Sequence, residues 1–173
     1  MDAMENLLTR RSVRQYKPDA VPQDVLRRVL EAGTYAATGM GRQSPILVAV
    51  TDRATRDALA AENAKIMGRP CTYPFYGAPV VVVVLADRSM PTYVYDGSLV
   101  MGNLMLAAHA EGLGSCWIHR AKEEFDSEFG RALLRKWEID GDYEGIGHCI
   151  LGYADGDAPQ AKERKADYIH IVE

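Results

Sequence analysis

The sequence has few cysteines and no segment that would direct the chain into or across a membrane. Its 173 residues contain three cysteines, Cys71, Cys116 and Cys149, and this odd, widely spaced set predicts neither a disulfide framework nor a common metal site. The first eleven residues lack the apolar core of a signal peptide, and the longest apolar run, residues 78–86, is too short to cross a bilayer. We therefore expect a cytoplasmic protein without a membrane partner.

An excess of positive charge is also missing. Twenty-four acidic residues outnumber twenty basic ones, which gives a net charge of −4. Because binding to a nucleic-acid backbone requires a positive field, no nucleic-acid partner is expected, and a local arginine cluster becomes informative. The length and the 47% apolar content predict one globular domain over residues 1–173.

Three familiar enzyme signatures are absent. No G-x-G-x-x-G follows a strand, so a Rossmann dinucleotide site is not predicted. No serine lies in a nucleophile-elbow motif. Cys116 lies in an apolar strand, and no spacing pairs it with any of the four histidines, so we expect an inert core thiol.

The hydrophobic pattern predicts helices that alternate with strands. The helix over 93–111 is apolar nearly all round, which predicts burial in a core or at a subunit interface. The valine-rich strand after Pro79 has no alternation, which is typical of a strand covered on both faces. The order indicates an α+β or α/β sheet with helices on its faces. The predicted helices are 2–9, 22–33, 52–67, 93–111 and 123–137, and the predicted strands are 46–51, 80–87, 115–119 and 145–153.

The C-terminal segment, residues 154–173, is a polar tail that ends in YIHIV (168–172). The polar part cannot bury itself, whereas the last residues have good β-propensity. We expect an extended arm whose terminal strand adds to another sheet edge, and the sheet of a partner subunit offers such an edge.

Two segments are rich in cations. If residues 10–18 are extended, Arg10, Ser12 and Arg14 project from one face, where two guanidinium groups beside a hydroxyl suit a phosphate. The alternative is a solvated basic turn that follows the first helix. The run over 162–165 is either solvated surface or a second source of cations for the same phosphate.

Two further segments each allow two interpretations. Gly39 and Gly41, in the loop over 36–45, would let the backbone approach a flat ligand, or they simply end a helix before a strand. The segment over 69–76 carries Tyr73, Phe75 and Tyr76. It is either a lid over a substrate or aromatic core that leads into the buried strand.

Taken in order, several motifs resemble the nitroreductase family of flavoproteins over nearly the whole chain. They are RRSVRQY, ATGMGRQSP, YGAPVVVVV, GLGSCWI, LGY and KERK. The resemblance implies an α+β fold of three layers, with a central, mainly antiparallel sheet flanked by helices. It also implies an interlocked homodimer that exchanges the C-terminal arms (154–173) and binds FMN at its interface.

The same resemblance implies an FMN-dependent oxidoreductase. Hydride would pass from NADH or NADPH through the flavin to an electron-poor acceptor, such as a nitroaromatic or a quinone. Because the cofactor carries the chemistry, no catalytic acid, base or nucleophile is expected from the protein. Two alternatives stay open, namely a flavin-binding sensor without turnover and a family member with different flavin chemistry, such as dehalogenation, enone reduction or flavin cleavage.

The residues that match the family motifs define an expected FMN site. Arg10 and Ser12 would contact the phosphate and ribityl chain, and Arg14 would stabilise the negative charge that the reduced ring gains. Lys162 and Arg164 resemble a late phosphate-binding pair. The loop over 38–40 would come from the second subunit, and the backbone over 117–119 would run beside the ring. The full expected set is Arg10, Arg11, Ser12, Arg14, Thr38, Gly39, Met40, Gln43, Cys116, Trp117, Ile118, His119, Lys162 and Arg164.

The chain departs from the family pattern at two loop positions. Gly41 stands where members often carry Asn, and Ser44 stands where they often carry Pro. The missing amide at position 41 is expected to change the contacts that hold the flavin or the substrate.

Overall fold

A computed structural model describes residues 1–70, 72–157 and 159–173. Cys71, which belongs to the predicted lid segment, lies outside the described residues. The helices are α1 (Ala3–Thr9), α2 (Gln23–Thr34), α3 (Arg53–Ile66), α4 (Tyr93–Ala110), α5 (Ala121–Asp126) and α6 (Glu128–Lys136). The strands are β1 (Pro45–Val50), β2 (Val80–Asp87), β3 (Gly114–Ile118) and β4 (Tyr143–Gly152), and a short 3-10 turn spans Gly39–Gly41.

The four strands form one antiparallel sheet in the order β1-β2-β4-β3. In the central pair, Val83 of β2 lies opposite His148 of β4. Every residue of β2 except Asp87 is buried, as expected for a run of β-branched residues without alternation. The expected α+β fold with a mainly antiparallel sheet is confirmed.

Helices cover both faces of the sheet, which makes three layers. Val82 and Val84 of β2 pack in one core with α2 and α4, where Leu104 is fully buried. Val81 and Val83 point to the opposite face and pack with α3, α5 and α6, because successive side chains of a strand alternate between faces.

The predicted single helix over 123–137 is wrong, because the chain bends at Ser127. The backbone of Ser127 is extended (φ −82°, ψ 167°), and its hydroxyl caps α6 by accepting a hydrogen bond from the Gly130 amide at 3.3 Å. The corner is tight, since a Cβ on Gly130 would lie 2.3 Å from the Glu124 carbonyl oxygen. The periodicity of apolar residues continues across this bend and hides it.

Two segments at the ends of the chain have little packing within one subunit. Helix α1 has no buried residue, and Met4, Leu7 and Leu8 are all exposed. Residues 168–172 form no strand within the chain and are also exposed, so their pairing with a partner sheet stays a prediction. Among the described helices, none has both the length and the apolar character needed to cross a bilayer.

Candidate functional site

The two cationic segments meet in one cleft of about 630 Å³, which we call the tail cleft. Arg10 and Ser12 line it from the N-terminal side, and Lys162 and Arg164 line it from the C-terminal tail. Four residues from opposite ends of the chain thus face a shared space. An anion is the ligand that such a cluster of cations suits.

Arg10 has a donor that the described residues leave unused. Its Nη1 atom is buried and has no hydrogen-bond partner within the described ranges. A buried donor without an acceptor is costly, and a ligand with anionic oxygens would satisfy it. The pKa of the nearby His109 is lowered by burial and then by the charges of Arg10 and Arg11, which indicates a positive potential in this region.

Arg11 lines the same cleft, but its guanidinium group is already hydrogen-bonded to the backbone. Its Nη1 donates to the carbonyl oxygens of Leu8 at 2.8 Å and of Arg10 at 2.7 Å. A guanidinium at this place neutralises the unpaired carbonyls at the end of α1. Arg11 therefore orders the segment that carries Arg10.

Residues 12–16 run along the outer edge of β3, which is the last strand on that side of the sheet. Ser12 and Ser115 form a parallel bridge, in which the Val13 amide donates to the Ser115 carbonyl at 2.9 Å. The approach is close, since a Cβ on Gly114 would lie 2.8 Å from the Val13 side chain. This edge position confirms the extended segment, places Ser12 at the tail cleft and directs Arg14 into a second cleft.

This second space, the β3 cleft, has a volume of about 380 Å³ and opens where β3 ends. Cys116 and Ile118 are only 3% and 6% exposed, so they offer little surface to a ligand. Trp117 is half-buried and His119 is exposed. The side chains that matter for its chemistry are Arg14, Arg69, Tyr73, Trp117, His119 and Arg120.

A buried polar network supports the β3 cleft from below. His148 Nε2 lies 3.0 Å from Glu124 Oε2, and both side chains are fully buried. The amide of the equally buried Asn63 donates to Glu124 Oε1 and, at 2.8 Å, to the His119 carbonyl. Arg120 Nε donates to Asn63 Oδ1 at 3.0 Å, so the network runs from the core to the cleft wall.

Sequence reasoning missed this network. Its members come from α3, β4 and α5, which lie far apart along the chain. One available signal was His148, a polar residue inside an otherwise apolar buried strand. The buried thiols of Cys116 and Cys149 take no part in it, and burial raises the pKa of Cys149 well above its usual value, which disfavours the reactive thiolate.

The loop over 38–43 lies apart from both cationic clefts. Thr38 and Gln43 line a third cleft of about 510 Å³ beside α2 and β1. Met40 is 83% exposed. Met40, Gly41 and Gln43 have φ values of 52°, 66° and 53°, a region that residues other than glycine seldom adopt. Within one chain, the structure does not bring this loop to Arg10.

The buried carboxylate of Asp96 fixes that loop. It accepts hydrogen bonds from the Gly39 amide at 2.9 Å, from the Ser44 hydroxyl at 2.8 Å and from the Thr92 hydroxyl at 3.1 Å. Ser44, where the family often has Pro, thus supplies a contact that Pro cannot make. Sequence reasoning missed Asp96, although a carboxylate in a largely apolar helix was a usable signal.

In the described part of the segment over 69–76, Phe75 fits the core interpretation, and a lid over the substrate stays a prediction. Phe75 is fully buried and belongs to the core, whereas Tyr73 and Tyr76 are 40% and 43% exposed at the β3 cleft. The Tyr73 hydroxyl donates to Asp57 Oδ1 at 2.8 Å. Burial, helped by that bond, raises the pKa of Tyr73 to about 12, so its hydroxyl stays protonated near neutral pH.

Across residues 1–70, 72–157 and 159–173, no group of three or more His, Cys, Asp or Glu side chains is placed to hold a metal ion. The candidate site consists of cations, aromatic rings and backbone at two clefts, and the glycine-containing loop lines a separate cleft.

Comparisons with known proteins bear on the family and the fold. A relative from Methanothermobacter thermautotrophicus, whose name combines NADH dehydrogenase with NAD(P)H nitroreductase, is 29% identical over 126 residues, 68% of this chain and 60% of that relative. An NADH dehydrogenase from Thermus thermophilus is 38% identical over 87 residues, 50% of this chain and 40% of its own. The chain thus matches about half the length of these two relatives.

Solved structures match over nearly the whole chain. A nitroreductase from Bacteroides fragilis with bound FMN is 29% identical and has a TM-score of 0.91, with 100% of both chains covered. A nitroreductase from Desulfitobacterium hafniense, also with bound FMN, shares the fold with a TM-score of 0.85 at 22% identity, over 98% of this chain and 97% of that one. The model of the Nitroreductase family matches residues 7–153. The chain belongs to the nitroreductase family.

Proposed function

We propose that the protein is an FMN-dependent oxidoreductase that takes hydride from NADH or NADPH and reduces an electron-poor acceptor, such as a nitroaromatic or a quinone. One observation carries the proposal, which is the buried, unpartnered Nη1 of Arg10 in a cleft shared with Lys162 and Arg164. A terminal phosphate with two negative charges would satisfy this donor and offset most of the charge of the three cations.

The residues of the two clefts fit the two ends of FMN. Arg10, Ser12, Lys162 and Arg164 would hold the phosphate, and the Ser12 backbone links the tail cleft to β3. Arg14 and the backbone over 116–119 would lie beside the ring system. Bound FMN supplies the hydride-accepting and electron-donating chemistry.

The protein contributes position and charge to this reaction. Arg14 is exposed at the β3 cleft, where a fixed guanidinium would stabilise the negative charge that develops on reduction. The Arg10 cluster would anchor the cofactor away from the reacting end, so that the anchor and the reacting end can be tested separately. No side chain is required as an acid, base or nucleophile.

We further propose a homodimer in which the C-terminal arms are exchanged. Leu7 and Leu8 of α1, together with Tyr95 and Leu99 of α4, expose large apolar side chains, and single subunits rarely leave so many uncovered. The outer edge of β1 pairs with no strand among the described residues, so it can accept the 168–172 segment. The loop over 38–43 would reach FMN only from the second subunit, since it lines a separate cleft in its own chain.

The test is flavin reconstitution followed by reduction. The purified protein, mixed with FMN and freed of excess cofactor, is expected to be yellow, to bleach with NADH or NADPH under anaerobic conditions and to regain its colour with a nitroaromatic or a quinone. A protein that stays colourless after FMN is added would overturn the proposal. A yellow protein that neither nicotinamide nucleotide bleaches would indicate a flavin-binding sensor instead.

A further inference from the structure

Arg120 has an unusual backbone that the fold holds in place. Its φ of 78° and ψ of 7° lie in the left-handed region, which disfavours residues with a Cβ. Strained backbone of this kind concentrates at ligand sites. At this position a glycine would be the unstrained choice, so a large cationic side chain needs a reason.

The orientation of the Arg120 side chain is also fixed by a hydrogen bond to a buried residue. Its Nε donates to Asn63 Oδ1 at 3.0 Å, and Asn63 is itself held by Glu124 and the His119 carbonyl. One edge of the guanidinium is therefore used by the fold. The other edge, which carries the paired donors that bind carboxylates and phosphates, remains available at the β3 cleft.

The charge around Arg120 points to an anionic ligand. Arg14, Arg69 and Arg120 all line the β3 cleft, and its described lining contains no Asp or Glu. None of these three arginines has a carboxylate within 4.0 Å among the described residues. This concentration of positive charge occurs in a protein whose net charge is −4, so it is a local feature that would attract anions.

We propose that Arg120, assisted by Arg69, forms a subsite for an oxyanion group of the substrate that enters the β3 cleft. This inference rests on the proposed function and adds to it a substrate class, molecules that carry a carboxylate or a phosphate. In this proposal Arg14 interacts with the flavin, whereas Arg69 and Arg120 interact with the substrate that binds next to the flavin. The oxyanion belongs either to the electron acceptor or to the nicotinamide nucleotide.

Matched ligands separate the two sources. In the FMN-loaded enzyme, benzoate and benzamide are titrated through the change in flavin absorbance, and 4-nitrobenzoate and 4-nitrobenzamide are compared as acceptors in the oxidative half-reaction. The reductive half-reaction with NADH is followed separately. Arg120→Gly removes the guanidinium and its bond to Asn63, but it also relieves the backbone strain, which offsets that loss, so the protein is expected to fold. Arg69→Ala, which leaves the network intact, provides a second variant.

We expect Arg120→Gly to weaken benzoate binding by roughly 10- to 100-fold, the loss of one charge-assisted pair, and to leave benzamide binding unchanged. If the substitution slows the oxidative half-reaction with 4-nitrobenzoate but not with 4-nitrobenzamide, the oxyanion belongs to the acceptor. If it weakens the affinity for NADH, the oxyanion belongs to the nucleotide. Arg69→Ala should act in the same direction with a smaller effect. Arg27→Ala, an exposed arginine of α2, serves as the control.

Equal effects on the charged and neutral ligands, or no effect on either ligand or on NADH, would overturn the inference. FMN affinity is measured on the same samples. If FMN does not bind to the unaltered protein, the proposed function itself fails. If FMN binds and is reduced while Arg120→Gly changes no anion affinity, only the subsite is wrong.

Discussion

The tail cleft and the β3 cleft are both cationic, yet the fold holds them in different ways. Lys162 and Arg164 belong to a tail whose described residues are exposed, and Arg10 follows a helix without a buried residue. In the β3 cleft, by contrast, Arg120 is bonded to Asn63, which is 0% exposed and belongs to a network that extends to His148. Few contacts hold the first cleft, whereas the core holds the second.

This difference predicts whether a mutation changes ligand affinity or the stability of the fold. Segments with few buried contacts open at a low free energy, so a change in the tail cleft should alter ligand affinity and leave the stability of the free protein nearly intact. A change in the network below the β3 cleft leaves buried polar groups unpaired, so it should destabilise the fold itself.

The largest effect is expected from Asn63→Ala. The substitution removes the donors to Glu124 and to the His119 carbonyl and the acceptor for Arg120. We expect the free energy of unfolding to fall by about 3 kcal/mol, since a buried carboxylate loses a partner. Urea unfolding measures this quantity.

Asn103→Ala is the matched control for that measurement. Asn103 makes one partly buried hydrogen bond, from its Nδ2 to the Ala32 carbonyl at 3.2 Å, and its loss should cost about 1 kcal/mol. If the two substitutions cost the same, the network does not hold the β3 cleft as described.

The next largest effect is expected on the affinity for FMN, without a loss of stability. Arg10→Ala removes the guanidinium whose Nη1 is buried without a partner, so FMN affinity should fall roughly 10- to 100-fold. The free energy of unfolding without FMN should not fall, because the substitution removes a buried donor that has no partner. Flavin fluorescence titration and urea unfolding check the two parts, with Arg27→Ala as the control. A large loss of stability would show that Arg10 serves the fold instead.

Removal of the arm should have a smaller effect on FMN. Deletion of residues 168–173 keeps Lys162 and Arg164 but removes the apolar end that would dock on the partner. We expect a weaker dimer in analytical ultracentrifugation, because the exposed apolar side chains of α1 and α4 remain. FMN affinity should fall about fivefold at protein concentrations where the dimer persists, because ordering one free residue costs about 1 kcal/mol. Deletion of Glu173 alone is the control, and a truncated chain that dimerises as tightly as the full chain would refute the exchanged arm.

The smallest effect concerns His109. Burial first, and then Arg10 and Arg11, lower its pKa below the usual 6.5, so the folded state favours the neutral ring. Its contribution to stability is therefore present above pH 6.5 and is lost as the pH falls through the lowered pKa. Arg10→Ala should raise the pKa, which should stay below 6.5 because burial, the larger cause, remains. An NMR titration decides this, and an unchanged pKa would separate His109 from the tail cleft.

Local sequence patterns were sufficient for most of the secondary structure. The unbroken valine run predicts β2, and the apolar helix that ends before Gly112 predicts α4 to within one residue of its observed end. The bend at Ser127 was missed because the apolar period continues through it. The arrangement of the layers came from the family resemblance, since periodicity does not specify the order of strands in a sheet.

The candidate site could be predicted from the sequence only where its residues are close together along the chain. Arg10 and Ser12 are neighbours in an extended segment, and the cationic tail run is conspicuous as a block of charge. Asn63, Glu124 and His148 meet only after α3, α5 and β4 have packed. Asp96 could be recognised as unusual in its helix, but two of its three donors, Gly39 and Ser44, lie in a loop that only the fold brings to it.

The central claim is that the tail cleft binds the phosphate of FMN while the β3 cleft receives the ring. Equilibrium titration of the unaltered protein with FMN and with riboflavin, which lacks the phosphate, tests it most directly. The account predicts FMN binding at one molecule per chain and an affinity for riboflavin that is lower by at least about tenfold, the contribution of one charge-assisted contact. Equal affinities for the two flavins, or no binding of either, would contradict it.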